Sequence, residues 1–229
     1  MEEKKTYNVR FPHGSTHLVV GPSASGKTYR TCEILRSKDK LIEGGEKIKN
    51  VVFCYAAWQP IMEKLKQQGI VTKFVNSNPT SDEFVAMVKD YVHDGGSIVV
   101  IDDFMTQISK EMVDIVTVQS RHHNTSTFIL FQSLFPPHKL ARQISLQVKF
   151  LHVHKNPREN AQIETLARQI MPKKVSFISA VYHEVTKVPH SALLIDLTQS
   201  CPEHLRYRSH YLPYEKPMRV YVPKGCVTV

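Results

Sequence analysis

The sequence predicts an α/β domain with a central, mostly parallel sheet flanked by helices, and three observations predict it. Short apolar runs alternate with longer segments of helical spacing along the 229 residues. Several runs are apolar at consecutive positions, as in Val99-Val100-Ile101 and Phe128-Ile129-Leu130, which suits central strands covered on both faces. One glycine-rich stretch joins such a run directly to a helical segment, the usual sign of a strand feeding a helix at a ligand site.

The expected strands are His17–Val20, Asn50–Tyr55, Ile70–Val75, Ile98–Asp102, Ser126–Phe131, Val148–Val153 and Ala192–Leu197. Each is four to eight residues of mainly apolar character bounded by turn formers. Between them, helices are expected over Lys27–Arg36, Trp58–Gln67, Asp82–His93, Lys110–Gln119, His138–Ser145, Asn160–Ile170 and Val175–Val185. Pro136-Pro137 and Pro213 to Pro217 mark loops. Residues after 198 read as an extended tail or an edge hairpin. No linker justifies a second domain, so 1–229 is expected to be one unit, with a core over 11–198 and a basic C-terminal extension over 199–229.

The stretch "LVVGPSASGKTYR" carries the first chemistry. Gly21, Gly26, Lys27 and Thr28 satisfy the G-x-x-x-x-G-K-[ST] pattern of a P-loop, or Walker A motif, after an apolar strand and before a helix. Its physics is a cradle: backbone N–H groups of Gly21, Pro22, Ser23, Ala24, Ser25 and Gly26 (proline excepted) turn toward phosphate oxygens, and the helix N-terminus adds its dipole. Lys27 is expected to reach the β- and γ-phosphates of ATP, and the Thr28 hydroxyl to ligate Mg²⁺. The other reading is a glycine-rich turn before an ordinary helix.

A P-loop needs an acid at the end of a neighbouring strand. "SIVVIDDFM" supplies Asp102, the expected Mg²⁺ ligand, and Asp103, the expected polariser of the attacking water. The alternative is a helix cap for the next segment. "TFILFQ" is a buried run that stops on an uncharged amide, Gln132. If this strand lies between the P-loop strand and the Asp102 strand, Gln132 faces the γ-phosphate and can sense it; otherwise it caps the following turn. That arrangement is the additional-strand (ASCE), RecA-like version of the P-loop fold. Arg121 is the expected arginine finger, acting in a neighbouring subunit, with Arg142 and Arg158 as competitors and a plain surface charge as the alternative.

Charge is unevenly spread. Residues 1–135 hold 16 Lys and Arg against 15 Asp and Glu, whereas residues 136–229 hold 14 against 6. A concentrated basic region suits a polyanion bound through its phosphates. No run of eighteen apolar residues exists and "MEEKKTYNVRF" has no apolar leader, so neither a membrane span nor a secretory signal is expected. Cys32, Cys54, Cys201 and Cys226 are widely spaced, which fits free thiols in a reducing, intracellular compartment.

Taken together, "VVGPSASGKT", "VFCYAAWQP", "VVIDDFM", "SRHHNTSTFILFQSLF", "KNPRENAQIETLARQ", "ALLIDL" and "RYRSHYLP" resemble the FtsK/HerA-type genome-packaging ATPases of double-stranded DNA viruses. The version in Polinton/Maverick elements and adintovirus-like viruses is the most similar. The resemblance covers most of residues 11–224. It implies a RecA-like core, ATP as fuel, and a homo-oligomeric ring, pentameric or hexameric, that drives double-stranded DNA into a preformed capsid. It also implies capsid or portal-vertex partners and a location at the host nucleus or a viral assembly site, the virion included. Lys27 and Thr28 fall on that group's P-loop positions, Asp102 and Asp103 on its acid motif, Gln132 on its sensor, and Arg121 where its finger is sought. Two departures stand out. Asp103 replaces a more usual Glu, so it acts directly as base or through a second water. Ala24 stands where glycine is common.

The core motifs alone also fit another FtsK/HerA-type DNA pump or helicase, whereas the intact Lys27, Thr28 and Asp102 set argues against a non-hydrolysing structural ATPase at a virion vertex. A small-molecule kinase or a GTPase is the third class, but neither N-K-x-D nor D-x-x-G follows the acid strand. Adjacent His122 and His123 point apart if on a strand and make a poor metal pair. Cys201, His204, His210 and Cys226 match no common zinc spacing. His152 and His154 share a strand face near its end, either lining a central surface with Lys155 and Arg158 or partly buried. Trp58 either stacks on nucleotide or packs under a loop, and packing is the expectation.

Overall fold

The computed structural model describes residues 9–104, 107–158, 160–215 and 217–223. They form one nine-stranded sheet: β1 (Thr16–Val20), β2 (Asn50–Tyr55), β3 (Lys73–Val75), β4 (Ser97–Asp102), β5 (Thr125–Phe131), β6 (Phe150–His154), β7 (Ala192–Asp196), β8 (Tyr207–Ser209) and β9 (Arg219–Tyr221). Their order is β3-β2-β4-β5-β1-β6-β7-β8-β9. The first six are mutually parallel and the last three join antiparallel. The tail beyond residue 198 therefore continues the same sheet. Residues 1–8 and 224–229 of the expected single unit lie outside the described residues.

The feature that matters for function is the place of β5, inserted between β4 and β1 as the Gln132 argument required. Register brings the strand ends level: Asp102 pairs with Leu130, and Val20 with Phe131. The sheet is α/β, mostly parallel, and flanked by helices. Alternation sends Val99, Ile101, Ile129 and Phe131 into one core layer, under α4 (Ser81–Val88), α7 (Lys139–Gln147), α8 (Asn160–Ile170) and α9 (Val175–Val185). It sends Ile98, Val100, Phe128 and Leu130 into the other, with α1 (Lys27–Arg36), the one-turn α2 (Lys38–Leu41) and α3 (Pro60–Gln67). All seven residues of β5 are buried.

Element ends differ from expectation where local chemistry decides. α3 starts at Pro60, not Trp58, because proline's fixed φ suits the first helical turn and Gln59 is extended at φ −122° and ψ 147°. α4 starts behind a Thr80–Glu83 capping box and gives way to a 3₁₀ turn at Lys89–Tyr91. α5 (Lys110–Asp114) continues through a π-helical stretch, Ile115–Gln119, into α6 (Ser120–His122), so this helix outruns its expected end. Its last turn is tied to β5 by a Ser120 to Thr127 hydroxyl contact of 2.6 Å. β3 begins only at Lys73 and β6 only at Phe150.

His152 and His154 are buried, which rules out a role lining an exposed basic surface. His152 completes a polar chain through the core: Ser15 Oγ to His17 Nε2 at 2.8 Å, His17 Nδ1 to His152 Nε2 at 3.1 Å, and His152 Nδ1 to the Tyr211 hydroxyl at 2.8 Å. Neutral imidazoles can each donate one proton and accept one, so a fully satisfied chain needs no charge. The His17 ring lies flat against Phe128, with centroids 4.1 Å apart.

Candidate nucleotide site

The P-loop runs from the end of β1 into α1. Gly26 caps α1 with φ 97°, and a Cβ there would come within 2.9 Å of His190 Cβ. A Cβ on Gly21 would meet Ser25 Oγ at 2.6 Å and His154 Cβ at 2.7 Å. Side chains are thus excluded at both motif glycines. Ala24 holds a left-handed φ of 62°, the conformation that glycine adopts more cheaply. His154 braces the loop from behind, its Nδ1 donating to the Ser25 carbonyl at 3.0 Å. Burial, reinforced by Arg30 and Lys27, pushes its pKa down to about 3 and keeps it neutral.

Lys27 Nζ donates to the Gly21 and Pro22 carbonyls at 2.6 and 2.9 Å, folding across its own loop. Desolvation lowers its pKa, against the raising effect of Asp102 and Asp103. The Thr28 hydroxyl donates to Asp102 Oδ2 at 3.0 Å across the gap between α1 and β4. Asp102 is 3% exposed. Desolvation pushes its carboxyl up to about 6, with Asp103 adding to the rise and Thr28 and Lys27 opposing it. Asp103, exposed and at φ 66°, turns out of the strand and accepts from Gln132 Nε2 at 2.7 Å. The ends of β1, β4 and β5 thus deliver Lys27, Thr28, Asp102, Asp103 and Gln132 to one cavity of about 630 Å³.

Among the described residues no cluster of three or more His, Cys, Asp or Glu side chains could hold a metal ion. The donors at the cavity suit instead a metal ion that needs few protein ligands. Thr28 and Asp102 offer two hard oxygens, and a buried carboxylate with a raised pKa is a group short of positive charge. Mg²⁺ takes few protein ligands and fills its octahedron with water and substrate phosphate, so the residues fit it. Cys226 of the weak zinc grouping lies outside the described residues.

The arginines are not brought in. Arg121 is exposed on α6, before β5, while Gln132 follows the strand's far end. Seven strand residues at about 3.3 Å each separate them by roughly 23 Å, so Arg121 cannot serve its own chain's cavity. Arg142 on α7 and Arg158 beyond β6 are also exposed, and neither lines the cavity. Trp58 does not line the cavity; it meets Tyr55 and Phe74 edge-on but stays exposed rather than packed under a loop.

Several residues at the site escaped sequence reasoning. Tyr29, Gln59, Pro60, Ile61 and His190 complete the cavity wall. Tyr29 adjoins the motif and was within reach of inspection. His190 is 164 positions from Gly26 and carries no motif. Gln162, in the first turn of α8, clamps the loop after Gln132. Its Oε1 accepts from Ser133 Oγ at 3.1 Å, Leu134 N at 3.0 Å and Phe135 N at 3.2 Å. Arg30 forks onto Glu215 at 2.7 and 3.0 Å and covers the Tyr211 ring at 5.1 Å, tying the C-terminal segment to the P-loop helix.

No protein-family profile and no curated protein matches the chain. Solved structures do. The DNA-packaging ATPase B204 of Sulfolobus Turreted Icosahedral Virus matches with a TM-score of 0.54 at 12% identity, over 92% of this chain and 98% of that one. The genome packaging NTPase B204 of Sulfolobus turreted icosahedral virus 2, solved with ATP-gammaS, gives 0.48 at 13% identity over the same shares. The first of these likenesses shows a common fold, that of the P-loop NTPases.

Proposed function

We propose that this chain is an ATPase whose hydrolysis drives double-stranded DNA into a viral or virus-like capsid. One observation carries the ATPase reading: the P-loop, two carboxylates and a strand-end amide, far apart in sequence, converge on one cavity at hydrogen-bonding distance. In this reading the α1 N-terminus and the P-loop amides bind the phosphates of ATP. Lys27 exchanges its two carbonyl partners for phosphate oxygens, which costs little because both sets are acceptors of the same proton donor. Thr28 and Asp102 would hold Mg²⁺, which neutralises charge on the β- and γ-phosphates when bound. Asp103 accepts a proton of the attacking water, directly or through a second water. Gln132 donates to Asp103 here and can swing its amide to the γ-phosphate, so it reports whether that group is present. Water adds to the γ-phosphorus, the bond to the ADP oxygen breaks, and ADP and phosphate leave.

Support for DNA as the partner is the basic excess after residue 135 together with the fold shared with a packaging ATPase. A ring belongs to the same proposal: Arg121, too far from its own cavity to serve it, would then complete a neighbour's site. FtsK/HerA-type membership, kinship with Polinton and adintovirus-like enzymes, portal or capsid contacts, and a nuclear or assembly-site location belong to the same proposal. Steady-state ATPase with and without double-stranded DNA, across a salt series, tests it. Stimulation that falls steeply with salt is expected, and turnover indifferent to DNA at low salt would remove the translocase reading.

A further inference from the structure

Tyr29 follows the P-loop threonine directly and is 51% exposed at the cavity wall, an unusual place for a large aromatic ring on a short packed helix. α1 buries Arg30, Thr31, Cys32, Ile34 and Leu35, so the ring at 29 is on the helix face turned away from the sheet. The first backbone bond into α1 is Arg30 N to Gly26 O. The N–H groups of Lys27, Thr28 and Tyr29 therefore have no helical carbonyl to meet and are available to phosphate. A triphosphate whose terminal group sits by Lys27, Asp103 and Gln132 has its first phosphate near the Tyr29 N–H. The sugar and base must then leave past the Tyr29 side chain. A cavity of about 630 Å³ exceeds what a triphosphate alone would fill, and its lining extends beyond the P-loop and the acids to Tyr29, Pro60, Ile61 and His190.

We infer that Tyr29 is the stacking platform for the nucleobase, so that the cavity selects a nucleoside triphosphate over a bare polyphosphate. This rests on the nucleotide reading above and adds a residue to it. Stacking on an aromatic face is worth roughly 5- to 150-fold in affinity per base. A phenylalanine would serve as well, since the ring face and not the hydroxyl makes the contact.

The test compares two ligands, ATP and inorganic tripolyphosphate, each with Mg²⁺, by calorimetric titration of the full chain. Tyr29→Ala is expected to weaken ATP about tenfold or more and to leave tripolyphosphate within about twofold, with Tyr29→Phe matching wild type for both. The substitution is on an exposed helix face and alanine favours helix, so folding is not at risk. Equal losses for both ligands, or no loss for ATP, would overturn the inference while the ATPase reading stands, provided Lys27→Ala still weakens both. Wild type that binds neither ligand overturns the nucleotide reading and this inference with it.

Discussion

Asp103 and Gln132 were singled out because carboxylates and an amide have no business ending buried strands without a polar site to face. The structure brings the two side chains together through a 2.7 Å hydrogen bond at the cavity. If Asp103 orients the attacking water, Asp103→Asn keeps the shape and loses the proton acceptor. Turnover is then expected to fall by about 10²- to 10⁴-fold while ATP still binds, as a filter or calorimetric assay would show. Ala24 gives a prediction of opposite kind. Its φ of 62° costs an L-residue roughly 1–2 kcal/mol, so Ala24→Gly is expected to leave the loop intact and raise stability by up to about 1 kcal/mol in urea unfolding. A loss of stability would show that the Cβ makes a contact worth more than the strain. At this scale the sequence was readable wherever a residue type is forced by chemistry: Lys27, Thr28 and the acids could hardly be anything else. It leaves His154 open between surface and burial, because the placement behind Ser25 depends on β6 lying beside β1, a long-range pairing that no local pattern encodes.

Among elements, the inserted strand β5 was legible because its apolar run and its terminal amide agree on one placement. The helix over Lys110–His122 was misjudged in length, since a π-helical stretch shifts the residue spacing that periodicity relies on. The Gln162 clamp was invisible for another reason: its three donors sit on a loop whose approach to α8 is decided by packing. Gln162→Leu removes the acceptor that the Leu134 and Phe135 amides share and is expected to cost about 1–3 kcal/mol, with faster hydrogen exchange at those two amides. Gln162→Glu retains an acceptor and should restore most of the protection. Unchanged exchange in the leucine variant would mean that the loop holds itself.

Across the whole molecule, the buried histidines set the acid limit. The pKa of His17 is pushed down to about 3 by burial and by Lys149, that of His154 to about 3, and that of His152 well below its ordinary 6.5. Between pH 6.5 and about 3 the unfolded chain binds protons on these imidazoles that the folded chain refuses. Stability is therefore full above pH 6.5 and falls as pH drops through that window. Asp102, raised to about 6, works the other way, since the folded chain holds an extra proton there between about 3.9 and 6. One carboxyl against three imidazoles leaves the histidine sign in charge. Thermal unfolding midpoints should fall from pH 7 to pH 4, and His17→Phe, stacked between Phe128 and Phe150, should flatten the slope. Assembly is the other property at this scale. If Arg121 acts in a neighbour, Arg121→Ala is inactive alone but recovers turnover when mixed with Lys27→Ala, because each variant supplies what the other lacks. Failure of mixed rings to recover would pass the role to Arg142 or Arg158, or remove it.

The account rests on Lys27, Thr28, Asp102, Asp103 and Gln132 acting as one centre for ATP hydrolysis. The most direct test is a single-turnover measurement with γ-labelled ATP, enzyme in excess, on wild type, Lys27→Ala and Asp103→Asn side by side. The account predicts phosphate release by wild type, none from Lys27→Ala, and bound but uncleaved ATP in Asp103→Asn. Release by all three at similar rates would contradict it, because hydrolysis would then owe nothing to the site that the fold assembles.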